Sequence, residues 1–102
     1  MVEQVRNATI TIGTTSQIIS TELLAKQRRV FVVTNTSTGG QTITLSWGQE
    51  AAAGNGIVLT PMGSWSESVD TAFSPSPLQI YAVSSAASGQ VSIHERVETS
   101  VY

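Results

Sequence analysis

The chain has 102 residues, a net charge of −2, 12% charged residues and 40% hydrophobic ones. That length suits one domain, and the weak negative charge gives no pull toward nucleic acid or a membrane surface. The absence of cysteine excludes a disulfide framework, a thiolate metal site and a cysteine nucleophile. About a quarter of the residues are Ser or Thr, which keeps so sparsely charged a chain soluble. No apolar run is long enough to span a membrane as a helix, and the start Met1-Val2-Glu3-Gln4-Val5-Arg6 lacks a signal-peptide pattern.

Along the chain, residues 1–7 are mixed in polarity and read as an arm. Ala8, Ile10 and Ile12 alternate with Thr9 and Thr11, the period of a half-buried strand. Gln17–Ser20 is a weaker strand. Thr21–Gln27 is the one run of good helix formers, too short to hold a helix without packing, so a single turn is expected there. Arg29–Thr34 is apolar on both faces and rich in β-branched residues, which predicts a central strand covered on both sides. Ile43, Leu45 and Trp47 alternate with Thr42, Thr44 and Ser46, predicting a buried face and a wetted, uncharged one. Gly56–Thr60 and Ser64–Val69 are shorter strands. Leu78, Ile80 and Ala82 begin another, and Val91, Ile93, Glu95 and Val97 mark the last. Residues 97–102 read as a tail.

Turn chemistry separates these runs at intervals of about ten residues: Ser37-Thr38-Gly39-Gly40, Ala53-Gly54-Asn55-Gly56, Pro61-Met62-Gly63, Ser74-Pro75-Ser76-Pro77 and Ala87-Ser88-Gly89. No helix-length crossover lies between strands, which argues against a parallel α/β sheet. The expected fold is all-β: one antiparallel β-sandwich over residues 1–102, jelly-roll-like, with an immunoglobulin-like strand order as the alternative.

Chemistry is sparse. His94 is the single histidine and faces away from Val91 and Ile93, without a second His or a Cys to share a metal. Glu67 with Asp70, and Glu95 with Glu98, are the close carboxylate pairs, and the strand period puts Glu67 and Asp70 on opposite faces. There is no Gly-x-Ser-x-Gly elbow and no phosphate-cradling glycine loop. The expectation is a protein that is not an enzyme and takes no metal or cofactor. Lys26, Arg28 and Arg29 form the one basic cluster, readable as a gatekeeper for an apolar strand or as a docking patch. Trp47 reads as core. Trp65, flanked by serines, and Tyr81 are candidates for a sugar-stacking platform.

The ordered series is Arg28-Arg29-Val30-Phe31-Val32-Val33-Thr34-Asn35, then Leu45-Ser46-Trp47-Gly48, then Gly56-Ile57-Val58-Leu59-Thr60-Pro61-Met62-Gly63. Ile80-Tyr81-Ala82-Val83 and Val91-Ser92-Ile93-His94-Glu95 follow. This series resembles small virion proteins of tailed bacteriophages, of the head-decoration or cement type. Met62 departs from that pattern, standing where a small residue is usual. The resemblance implies a β-sandwich subunit, commonly trimeric, on the outer capsid surface, with the major capsid protein as partner and no nucleic acid or membrane. The docking surface expected here is the corner Lys26, Arg28 and Arg29 with the terminal residues Val2, Val5, Arg6, Val97, Val101 and Tyr102, since the short ends, mixed in polarity, suit addition to a neighbouring sheet. The alternative from the same virion setting is a carbohydrate- or receptor-binding module of a fibre or spike, using Trp65 and Tyr81.

Overall fold

The computed structural model describes residues 2–21, 26–69 and 76–99. The run of helix formers at 22–25, together with Asp70, Ser74, Pro75, Val101 and Tyr102, lies outside the described residues. Eight strands follow one another: β1 (Val2–Ile12), β2 (Gln17–Ser20), β3 (Lys26–Asn35), β4 (Ile43–Trp47), β5 (Ile57–Leu59), β6 (Ser64–Ser68), β7 (Ile80–Ser84) and β8 (Gly89–Thr99). They form two four-stranded sheets, β1-β8-β3-β6 and β2-β7-β4-β5.

The pairing is nested. β1 pairs β8, β2 pairs β7, β3 pairs β6 and β4 pairs β5, all antiparallel. This is one long hairpin rolled up, and the rolling adds the β3–β8 and β4–β7 contacts. It is the jelly-roll order, which decides between the two expected topologies. The order puts β1 and β2 on one flank of the sandwich and β5 and β6 on the other.

Strand periodicity fills the core. Ile12, Phe31, Val33, Val91 and Ile93 from the first sheet meet Ile19, Ile43, Leu45, Leu59, Ile80 and Ala82 from the second. Trp47 packs edge-on against Phe31, ring centroids 6.3 Å apart. Asn35 closes the core at one end. Its amide donates to the Gln41 and Leu59 carbonyls, and its side-chain oxygen accepts from the Ser37 N–H. At Gly56, φ is +132° and an added Cβ would stand 2.4 Å from the Leu45 carbonyl oxygen, so only glycine fits.

Two expectations about outer faces fail. The outer face of β4 is dry, because the segment between β4 and β5 folds over it: Gly54 N–H donates to Thr44 Oγ1, and Thr44 and Ser46 are buried. The outer face of β3 (Val30, Val32, Thr34) is only half-buried, since neighbouring strands shield it sideways without a covering layer. The segments expected as arm and tail are, over Val2–Asn7 and His94–Thr99, a continuous antiparallel ribbon.

The sheets differ in length. β1 and β8 have 11 residues each and β3 has 10, whereas β2, β4, β5 and β7 have three to five. At about 3.4 Å per residue, the long strands outreach the short ones by roughly 20 Å. The molecule is accordingly elongated, 46 × 23 × 22 Å, and one end of the first sheet projects past the second.

Candidate functional site: the open flank

Where the second sheet stops, the inner face of the first changes from apolar to charged. The register sets Arg6 opposite Glu95, Glu95 opposite Phe31, and Phe31 opposite Glu67. Arg28 joins this layer through a β-bulge. Arg28 pairs with Val97, but Val30 pairs with Arg96, leaving Arg29 as the extra residue. Strict alternation from Phe31 and Val33 would send Arg28 outward. The bulge turns it in.

Arg28, expected at an exposed docking corner, is instead buried. It is 1% exposed. Its Nε donates to Glu95 Oε2 at 2.7 Å and its Nη2 to Ser20 Oγ at 2.6 Å. Ser20 Oγ in turn donates to Glu95 Oε2 at 2.6 Å. The remaining guanidinium N–H groups reach the Ser76, Leu78 and Thr21 carbonyls, and the guanidinium lies 5.7 Å from the Phe31 ring centroid. A second cation shares the same carboxylate: Arg6 Nε lies 3.4 Å from Glu95 Oε1, and Arg6 Nη2 donates to the Ile19 carbonyl at 2.8 Å. Two guanidiniums share the Glu95 carboxylate, and the Arg28 charge also reaches Glu67 across the same layer.

Beside this cluster is an open groove of about 690 Å³, between the edges of β1 and β2. Val5, Ile10, Ile18, Ile19 and Val97 supply its apolar wall, and Arg6, Ser20 and Glu95 its polar floor. Val5 and Ile18 are 52% and 44% exposed.

The backbone of β1 borders the groove. Gln17 Nε2 donates to the Thr11 carbonyl, so that carbonyl points away from β8. Antiparallel alternation then turns the N–H and C=O of Glu3, Val5, Asn7 and Thr9 outward as well. Among the described residues no strand pairs with that side of β1. Edge strands are ordinarily blunted by charge, proline, brevity or a bulge. Asn7–Ile12 carries no charge and no proline, and its register to β8 is unbroken.

The other expected site residues are dispersed. Arg29 sits on the outer face, 2.9 Å from Glu98. Val97 is buried in the groove wall. The side chains of Val2 and Lys26 are not described. Trp65 and Tyr81 do not form one platform. Trp65 is half-buried on the inner face of β6 and packs on the core, while Tyr81 lies on the other sheet, its hydroxyl donating to Gln79 Oε1. His94 faces outward and bridges Asn7 and Arg96. Burial pushes the Glu67 carboxyl above its ordinary range, and a Trp65 hydrogen bond and the Arg28 charge pull it partly back. Among the described residues, no three His, Asp or Glu side chains gather as metal ligands would.

Sequence reasoning missed Ser20, Ile18 and the role of Glu95. The one available signal was Glu95 in phase with Val91, Ile93 and Val97, an acid on an apolar face that required a buried cation.

No family model matches the chain, and no curated protein does. Among solved structures it aligns with one from Bacillus described as endospore appendages that form a novel family of disulfide-linked pili. The TM-score is 0.52 and the identity 20%, over 97% of this chain and 88% of that one. What is shared at that identity is the fold. This likeness, to an appendage protein and not to a head-decoration protein, overturns the capsid-stabilising function expected from the ordered motifs, and the phage fibre or spike alternative falls with it. The motifs have internal duties instead. Arg28 and Glu95 form the buried pair, Asn35 ties three segments, and Gly56 clears Leu45. They record jelly-roll geometry, which is why the small β-rich subunit stands while the virion role does not.

Proposed function

We propose that this chain is a structural subunit that associates with copies of itself into an ordered, surface-exposed assembly and performs no chemical transformation. The observation that carries this is the uncharged Asn7–Ile12 stretch of the β1 edge, open beside an apolar groove. A free edge and an apolar recess together offer main-chain hydrogen bonds and side-chain pockets, the two parts of β-strand addition. The likeness to an appendage pilus supports the same reading. That neighbour is described as disulfide-linked, whereas a chain without cysteine would assemble without disulfides.

The test is Thr9→Pro. The Thr9 N–H points away from β8, so proline there removes an outward donor and spares the β1–β8 ladder. Wild type is expected to form particles larger than a monomer by light scattering and electron microscopy. The variant keeps its circular dichroism spectrum and loses the particles. Equal assembly of the two proteins would remove β1 as the receiving edge.

A further inference from the structure

The open edge of β1 calls for a partner of its own length. It runs for 11 residues, whereas the other sheet edges among the described residues, β6, β2 and β5, offer five, four and three. Pairing with any of those would leave most of its outward N–H and C=O groups without a strand. The two other long strands, β3 and β8, are already paired on both sides. The edge that matches β1 along its whole length is β1 of a second copy.

Alternation restricts how two such edges can meet. Glu3, Val5, Asn7, Thr9 and Thr11 turn their backbone groups away from β8, so these residues supply the hydrogen-bonded pairs of any new ladder. The register that overlaps the two strands completely, Val2 against Ile12, puts Asn7 at its centre. Its parity is correct. Asn7 meets Asn7, Val5 meets Thr9 and Glu3 meets Thr11, all of them outward-facing.

Charge and exposure favour the same register. It sets Arg6 opposite Ala8 and Glu3 opposite Thr11, so no like charges stand face to face. A shift of two residues in one direction would set Arg6 against Arg6, which destabilises an antiparallel pair. The same shift in the other direction would carry Glu3 past the end of β1. Val5, 52% exposed, gains Thr9 of the second copy as a β-branched cross-strand neighbour.

We infer that two copies pair β1 to β1, antiparallel about a two-fold axis at Asn7, and so join their first sheets into one of eight strands. This rests on the self-assembly reading and names the partner edge. The contact is isologous and closes on two copies, which makes the pair the unit of any larger assembly.

The experiment exploits the absence of cysteine, because a single introduced thiol then reports one contact. Cα atoms of a hydrogen-bonded antiparallel pair lie about 5.5 Å apart, within the span of a disulfide. Under mild oxidation Asn7→Cys is expected to form a covalent dimer at least tenfold faster than Val5→Cys or Thr9→Cys alone. In those two variants the like positions are four residues out of register, roughly 14 Å apart. Mixed in equal amounts, Val5→Cys and Thr9→Cys are expected to give a heterodimer that neither makes alone. That second readout leaves Asn7 and its bond to His94 intact. If wild type self-associates in sedimentation velocity but the three variants link at equal rates, or the mixture gives no heterodimer, the β1 pairing is overturned and self-assembly stands. If wild type stays a monomer, both are overturned.

Discussion

The two ends of the first sheet are held by different physics. Around Val33, Ile93 and Val91 a second sheet lies above, and the inner face is a dry apolar layer closed by Asn35. Further along the register the second sheet has ended, and β1, β8 and β3 present Arg6, Glu95 and Arg28. Apolar side chains there would face water or each other across nothing. An ion pair with its hydrogen bonds filled by Ser20 and three carbonyls seals the end without needing a layer above it. The lesson is that the length mismatch between sheets creates both the charged cluster and the groove beside it.

That contrast can be broken most severely at the charged end. Arg28→Ala strips Glu95 of its buried partner and leaves it only the half-exposed Arg6, and is expected to cost about 3–5 kcal/mol in urea unfolding. Arg28→Met with Glu95→Leu, which removes both charges, is expected to cost far less in the same measurement. Leu45→Ala at the apolar end is expected to cost about 2–5 kcal/mol, since it leaves a cavity under two sheets. Asn35→Ala sits next. It strands buried carbonyls of Gln41 and Leu59 and should cost about 1–3 kcal/mol.

Smaller effects sharpen the picture. Folding raises the Glu67 carboxyl above its unfolded value, so its contribution to stability is lost as pH rises through the ordinary carboxylate range. Glu67→Gln is expected to melt higher than wild type at pH 7 and no higher at pH 3.5. Arg29→Ala removes a half-exposed pair with Glu98 and should change unfolding by less than about 1 kcal/mol. Equal losses at Arg28 and Arg29 would contradict the burial difference that the bulge produces.

Much of this fold was legible. Period-two alternation marks the inward-facing residues of β1, β4, β7 and β8, because successive side chains of a strand point to opposite faces. Turn residues placed the breaks. The site was less legible for one local and one distant reason. A bulge at Arg29 inverts the phase of the residues before it, and alternation alone cannot reveal an inserted residue. The groove joins Val5, Ile18 and Val97, which are neighbours only once β1, β2 and β8 are assembled. Met62 was visible as a departure from pattern, and its left-handed backbone explains why the departure matters.

Sedimentation velocity of the wild-type chain across a wide concentration range tests the central claim most directly. The account predicts a weight-average mass that climbs with concentration well beyond the 10.8 kDa of one chain. A single 10.8 kDa species at every concentration would contradict it.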